Sequence, residues 1–277
     1  MVEIRPMTAV DIEPVRQMIM AGEWGDRRVF LEFATTQPEC LPIVAVDGGE
    51  IVASGVGTAN GPAGWIGAIF VDERVRRRGI GRAVTDAVIA GLEQRGCQTL
   101  VLVASEEGKP LYEGMGFQLQ TAYATLEAPG TSGSGVDDGA VRPFDPGDLE
   151  VMSVLDREAT GEARGHLLTR LASPESARVL VDENGGLSAF TIRPPWGGGA
   201  TIAETEDAGT RILQARRAAI GPDRKVRAGL PLENRSGIRR LQELGWTRSW
   251  NAPRMIRGEP LDWHPEQIWG QFAMALG

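Results

Sequence analysis

Arginines at positions 74, 76, 77, 78 and 82 are interleaved with glycines at 79 and 81, in a chain whose formal net charge is −8. A run of guanidiniums against an acidic background suits a compact polyanion. Glycines at alternate positions let the backbone bend tightly and expose consecutive N–H groups. The spacing from Ile80 predicts a helix over 80–95, whose first N–H groups have no intrahelical partner. Such a turn binds anions, and a pyrophosphate matches it in size and charge. Taken alone, the stretch also fits a solvated basic turn before a surface helix.

The turn needs a strand to deliver it, and the apolar run 65–71 supplies one. A second apolar strand is predicted over 99–103. Upstream, Ile4-Arg5-Pro6 reads as a short strand, and Asp11 as the N-cap of a helix with Ile12, Val15, Met18 and Ile19 on one face. Residues 21–38 mix Trp24, Phe30 and Phe33 with Glu23, Asp26, Arg27, Arg28 and Glu32. The β-branched runs 42–47 and 50–58 flank Asp47-Gly48-Gly49, a hairpin signal, and Asn60-Gly61-Pro62 marks the next turn.

Arg76-x-x-Gly79-x-Gly81 after a strand, then a helix, a strand and Ser105-Glu106-Glu107-Gly108-Lys109-Pro110-Leu111-Tyr112-Glu113-Gly114-Met115-Gly116-Phe117, resembles the GNAT superfamily of acyl-CoA-dependent N-acetyltransferases. The resemblance covers most of residues 2–128, and two motifs in the right order are far more specific than either alone. A Walker loop would need Gly-Lys-Ser/Thr, and a dinucleotide fold Gly-x-Gly-x-x-Gly with a later acidic residue; neither is present.

The resemblance implies an α/β fold whose mixed, mainly antiparallel twisted sheet is flanked by helices, unlike a Rossmann sheet. It implies acetyl-CoA as co-substrate, with the pantetheine arm between strands 65–71 and 99–103. The backbone of Ile69, Phe70 and Val71 would meet the arm. Arg76, Arg77, Arg78, Gly79, Ile80, Gly81 and Arg82 would hold the phosphates, with Ser105 and Gly108 from the second motif alongside. Tyr112 matches the family tyrosine that serves as general acid. The family's acceptor region falls on 21–38, making Glu23, Trp24 and Glu32 acceptor contacts. No residue of 65–70 is ionisable, so the general base is sought in a carboxylate of the acceptor region acting through water, Glu23, Asp26 or Glu32, with Asp26 the first to test. The expected reaction is direct attack by a small-molecule or protein amine within a ternary complex. A non-catalytic acetyl-CoA sensor and a mycothiol-synthase-like acetyltransferase are the alternatives.

The composition, 277 residues with 42% hydrophobic and 24% charged, is that of a soluble protein long enough for two domains. Cys40 and Cys97 lack close spacing, and His166 and His264 are the only histidines, so neither a disulfide framework nor a metal site is expected. Residues 1–9 have no apolar signal core, and no run approaches the ~18 to 20 apolar residues of a membrane span. We therefore expect a cytoplasmic protein with no membrane or nucleic-acid partner, and a homodimer as the assembly to test.

Residues 129–138, Pro-Gly-Thr-Ser-Gly-Ser-Gly-Val-Asp-Asp, read as a linker between domains 1–128 and 139–277. Val141-Arg142-Pro143 with Asp148 echoes Ile4-Arg5-Pro6 with Asp11 at an offset of 137 (141 minus 4). Residues 237–246 echo 108–117 at an offset of 129 (237 minus 108). These echoes predict a second copy of the same fold. At the 129 offset Arg82 falls on Arg211, Ser105 on Asn234 and Tyr112 on Leu241, while 204–209 brings Glu204, Glu206 and Asp207 where the arginine turn should be. Only the first copy is expected to bind the donor. Residues 263–277 are expected to close the degenerate copy with an amphipathic helix, its Trp269 and Phe272 facing the core.

Overall fold

The computed structural model of the protein describes residues 2–131 and 139–277, so most of the 129–138 linker lies outside the described residues. The first half runs β1 (Glu3–Pro6), α1 (Ile12–Ala21), α2 (Arg28–Thr36), β2 (Cys40–Asp47), β3 (Glu50–Asn60), β4 (Ala63–Val71), α3 (Ile80–Gln94), β5 (Thr99–Val103), α4 (Lys109–Glu113) and β6 (Gln118–Pro129). The second half repeats that order as β7 (Val141–Pro143), α5 (Leu149–Thr160), α6 (Gly165–Leu171), β8 (Ala177–Val181), β9 (Leu187–Ile192), β10 (Ala200–Ala203), α7 (Glu206–Ile220), β11 (Lys225–Pro231), α8 (Arg235–Glu243) and β12 (Thr247–Gly258). A short β13 (Ile268–Gly270) follows.

The repeat extends to individual bonds. Arg5 grips Asp11 through both carboxylate oxygens at 2.8 Å, and Arg142 grips Asp148 at 2.8 and 2.7 Å. Backbone N–H groups of Thr8 and Asp145 complete each clamp at 2.8 Å. Asp11 stands at the N-cap position of α1 as expected, but its side chain does not cap the helix. No such bond to α1 forms, because the carboxylate turns back to Arg5 and Thr8.

The compact units do not follow the two halves. The first unit ends its main stretch at Gln118 and takes in Met255–Glu259 and Met274–Gly277; the second comprises Leu119–Arg254 and Pro260–Ala273. β6, counted by sequence with the first domain, thus lies in the second unit. In the first unit β1, β2, β3 and β4 are antiparallel neighbours, β5 joins β4 in parallel, and the end of β12 lies beside β5. α3 sits close on this sheet. A Cβ at Gly55 would meet Val84 at 2.8 Å, and one at Gly57 would meet Val88 at the same distance. Val84, Val88 and Leu92 are wholly buried, each contributing about 1.5–3 kcal/mol relative to exposure.

Late residues knit the first unit together. Arg257 donates to Glu93 at 2.7 Å and to the Met115 carbonyl at 3.3 Å. Buried Thr58 and Asn60 of β3 donate to the carbonyls of Ala275 and Leu276, each at 2.8 Å. In the second unit β6 pairs with β11, and a separate antiparallel sheet runs β13-β10-β9-β8-β7. Instead of the amphipathic helix expected over 263–277, the chain makes a 3₁₀ turn at Pro265–Gln267 and then β13, which pairs with β10. Pro265 and Gly270 disfavour a helix interior, and β10 gains a partner for its free edge. Trp269 and Phe272 are buried as expected.

Gly258 has φ +104, and a Cβ there would lie 2.1 Å from the Gln98 carbonyl oxygen. Gly258→Ala should destabilise the protein by about 2–4 kcal/mol; an unchanged urea midpoint would mean that the end of β12 does not help hold the first unit.

The Arg5 hydrogen bond, opposed by burial, holds the Asp11 carboxyl well below the usual carboxylate range. A depressed folded-state pKa contributes stability that is fully present above the unfolded value of about 3.9 and is lost as pH falls through the folded value. With Arg5 34% exposed, Asp11→Asn should cost a discounted ~1–3 kcal/mol at pH 7. The gap from wild type should narrow below pH ~4. Denaturant titrations at both pH values check this, and equal stability at pH 7 would remove the clamp from the account.

Candidate functional site

β4 and β5 share a parallel ladder only from Ala63/Thr99 to Ile66/Leu102. Among the described residues, the rest of β4 pairs only with β3. The β3–β4 register shifts between Ser54 and Val56, and Ala68 takes φ +51, a left-handed conformation that costs a non-glycine residue about 1–2 kcal/mol. Beyond this bulge, Ile69, Phe70 and Val71 present, on the side away from β3, a backbone edge with no strand partner among the described residues. A β-edge of this kind hydrogen-bonds an extended ligand.

The arginine turn begins where that edge ends. Arg77 has φ +61 and Gly79 φ +80, so left-handed residues alternate along the turn, and Gly79 caps α3 without a side-chain acceptor. The first turn of α3 carries no acidic residue. Its free N–H groups and the turn together form an anion-binding concavity. Gly81 allows close approach, since a Cβ there would lie 3.3 Å from Val71. Arg78 pairs with Asp47 at 3.0 Å, Arg76 with Glu73 at 3.3 Å, and Arg82 with Asp86 at 3.7 Å. These side chains are 38–53% exposed, so their pairs are weak and exchangeable. Arg77 makes no ion pair among the described residues, whereas Arg74 is turned away onto Asp72 at 2.6 Å.

β5 leads into the second motif. Ser105 Oγ accepts the Gly108 N–H at 3.1 Å and starts α4, which carries Tyr112. The Tyr112 ring is buried edge-on to Phe117, with centroids 6.1 Å apart. No described residue hydrogen-bonds its hydroxyl, and burial pushes its pKa up to about 12. It is therefore a neutral donor throughout the physiological range.

The residues of 21–38 fare differently. Trp24 stacks edge-on against Phe70 with centroids 5.3 Å apart, bringing the predicted acceptor region against the predicted donor strand. Glu23 is exposed beside it with φ +62. Glu32 lies on the surface of α2, 3.8 Å from Arg28. Asp26 has work of its own: it accepts the Arg28 N–H at 2.9 Å at the start of α2 and the Arg16 guanidinium at 2.9 Å. Those bonds lower its pKa. The geometry argues against Asp26 as base, because an ion-paired carboxylate is a poor proton acceptor.

Sequence reasoning missed two features here. Ser54, opposite Phe70 at the bulge, has a buried hydroxyl with no partner among the described residues. The segment from Met274 packs on β4 so closely that a Cβ at Gly67 would lie 2.6 Å from the Met274 carbonyl oxygen. The available signal was the polar residues at 54, 58 and 60 of an otherwise apolar strand.

In the second unit only Glu204 and Thr205 separate β10 from α7. Thr205 caps the helix through the Ala208 N–H at 3.2 Å, and Glu206 and Asp207 occupy its first turn. Arg211 therefore lies inside α7, paired with Asp207 at 3.4 Å. This corrects its alignment with Arg82, because α3 and α7 start 126 residues apart (206 minus 80). The 129 offset does hold for the next helix. Asn234 accepts the Gly237 N–H at 3.1 Å as Ser105 accepts that of Gly108, and Leu241 stands at the Tyr112 position.

Comparison with known proteins agrees with this geometry. Residues 10–117 match the family described as Acetyltransferase (GNAT) family, and residues 152–270 match an Acetyltransferase (GNAT) domain. The uncharacterized N-acetyltransferase YitH of Bacillus subtilis is 25% identical over 221 residues, 76% of each chain. A candidate acetyltransferase of Pyrococcus horikoshii shares the fold with a TM-score of 0.83 at 22% identity, covering 100% of this chain and 96% of its own. A tandem GNAT protein from the clavulanic acid biosynthesis pathway gives a TM-score of 0.61 at 17% identity, covering 94% and 99%. With the arginine turn, the opened strand and the repeated element order in place, the chain belongs to the GNAT acetyltransferases, as two GNAT-type domains in tandem.

Proposed function

We infer that the first unit transfers the acetyl group of acetyl-CoA to a primary amine, by direct attack within a ternary complex. The observation that carries this reading is the anion-binding turn at Arg76–Arg82, continuous with the unpaired edge of β4 and followed in the chain by a buried tyrosine. Acetyl-CoA supplies a thioester carbonyl to which the amine nitrogen bonds as the C–S bond breaks, releasing the thiol.

The chain's own groups have separable tasks. The turn and its guanidiniums hold the phosphates, exchanging their surface carboxylates for a charge-assisted contact. The edge from Ile69 to Val71 orients the arm and can place an N–H toward the carbonyl oxygen, where a preorganised donor contributes a few kcal/mol. Tyr112 donates to the departing sulfur. With its phenol at about 12 and an ordinary thiol near 8.5, full transfer of its proton to a free thiolate is uphill by ~5 kcal/mol. Its contribution is then chiefly a hydrogen bond in the transition state. The proton lost by the amine passes to water, since Asp26 is tied to Arg16 and Arg28. Trp24 walls the acceptor side.

Replacing Arg76, Arg78 and Arg82 together with alanine should weaken acetyl-CoA binding more than tenfold, each charge-assisted contact contributing on the order of 1.5–3 kcal/mol. Arg211→Ala should leave it unchanged. Calorimetry decides, and unchanged affinity in the triple variant would place the donor elsewhere.

Tyr112→Phe should keep folding and donor affinity while turnover on a proven amine falls about 10²-fold, the low end for a positioned proton donor. Near-normal turnover would remove Tyr112 from the mechanism. If wild type binds acetyl-CoA but acetylates nothing across amines, polyamines, aminoglycosides and protein lysines, the sensor reading replaces this one.

A further inference from the structure

Arg216, on α7 in the second unit, is only 6% exposed. Its Nη2 donates to the Gly198 carbonyl. Among the described residues its Nε and Nη1 have no partner. Burial, with the charge of Arg193 adding to it, pulls its pKa down to about 10, and among the described residues it makes no ion pair. The acidic residues of α7, Glu206 and Asp207, sit in its first turn, at the other end of the helix.

The loop that carries Arg193 is shaped around this guanidinium. Between β9 and β10 it runs Arg193-Pro194-Pro195-Trp196-Gly197-Gly198-Gly199. Gly197 and Gly198 have φ +88 and +76, and a Cβ at Gly199 would lie 2.7 Å from Arg216 Cζ and Nη1. Trp196 Nε1 anchors the loop to the Phe272 carbonyl at 3.0 Å. A buried charge needs compensation, and one left without a counter-charge is strongly destabilising. A water molecule could satisfy the unused N–H groups but would leave the buried Arg216 guanidinium without a counter-charge, while Arg193 adds a second positive charge from the same loop.

We propose that Arg216 and Arg193, with the Gly197–Gly199 loop, form a binding site for a small oxyanion, a carboxylate or phosphate group, in the second unit. The site is independent of the donor turn, whose counterpart here is acidic.

The test is equilibrium dialysis of labelled inorganic phosphate and, separately, labelled acetate at fixed ionic strength. The full chain carries the Arg76, Arg78 and Arg82 alanine substitutions, so that the first unit's turn does not contribute. One saturable site is expected, and the anion held more tightly identifies the ligand class. Arg216→Gln should abolish uptake. Arg193→Gln, at an exposed position, leaves the core intact and should weaken uptake by about tenfold or more, which keeps the proposal testable if the Arg216 variant does not fold. Absence of saturable uptake of both anions, or uptake indifferent to Arg193→Gln, overturns it.

Discussion

The parting of β4 from β5 after Ile66 and Leu102 shapes the candidate site of the first unit. Backbone groups in a folded protein seek partners, so a strand that stays ordered after losing one neighbour offers its edge to something else. Here the edge runs from the bulge at Ala68 to Val71 and straight into the arginine turn. β3 holds the other side of β4 in register above and below the bulge. α3, seated on Gly55 and Gly57, presses both strands from behind. The left-handed strain at Ala68 persists because its surroundings are over-determined.

Much of this was legible in the sequence because local rules and tertiary demands agree. The hairpin at Gly48-Gly49, the strand feeding the turn, the helix from Ile80 and the Ser105 start of α4 all depend on residues close in sequence. The resemblance put Trp24 in the acceptor region and Phe70 on the donor strand, but the contact of their rings emerges only from the structure. The bonds that argue against Asp26 as base had no mark in the sequence, because a carboxylate in an acceptor region does not announce its ion pair and only the fold brings the Arg16 guanidinium to it. The strand at Ile268–Gly270 was hidden for the same reason, since the pattern of Trp269 and Phe272 suits either a helix or an edge strand until β10 appears as partner.

The two halves keep what folding requires and differ in the charge placed at the starts of α3 and α7. Both retain the arginine–aspartate clamp, the asparagine or serine that starts the helix before the last strand, and the same order of elements. The second half shortens the turn after its fourth strand to two residues and starts α7 with an ordinary threonine cap. Near the far end of that helix it keeps Arg216, whose Nε and Nη1 have no partner among the described residues. The framework is shared, and charge placement distinguishes the halves.

The distribution of strands between units also has a temporal meaning. Residues 255–259 and 274–277 belong to the first unit, while β6 from the first half belongs to the second. Synthesis proceeds from the N-terminus, so when Gln118 leaves the ribosome β5 still lacks its outer neighbour. Thr58 and Asn60 still lack the carbonyls of Ala275 and Leu276. The second unit can gather its sheets first, and the unit that bears the candidate site is finished last. Segments far apart in time of synthesis thus meet in the unit that bears the candidate site.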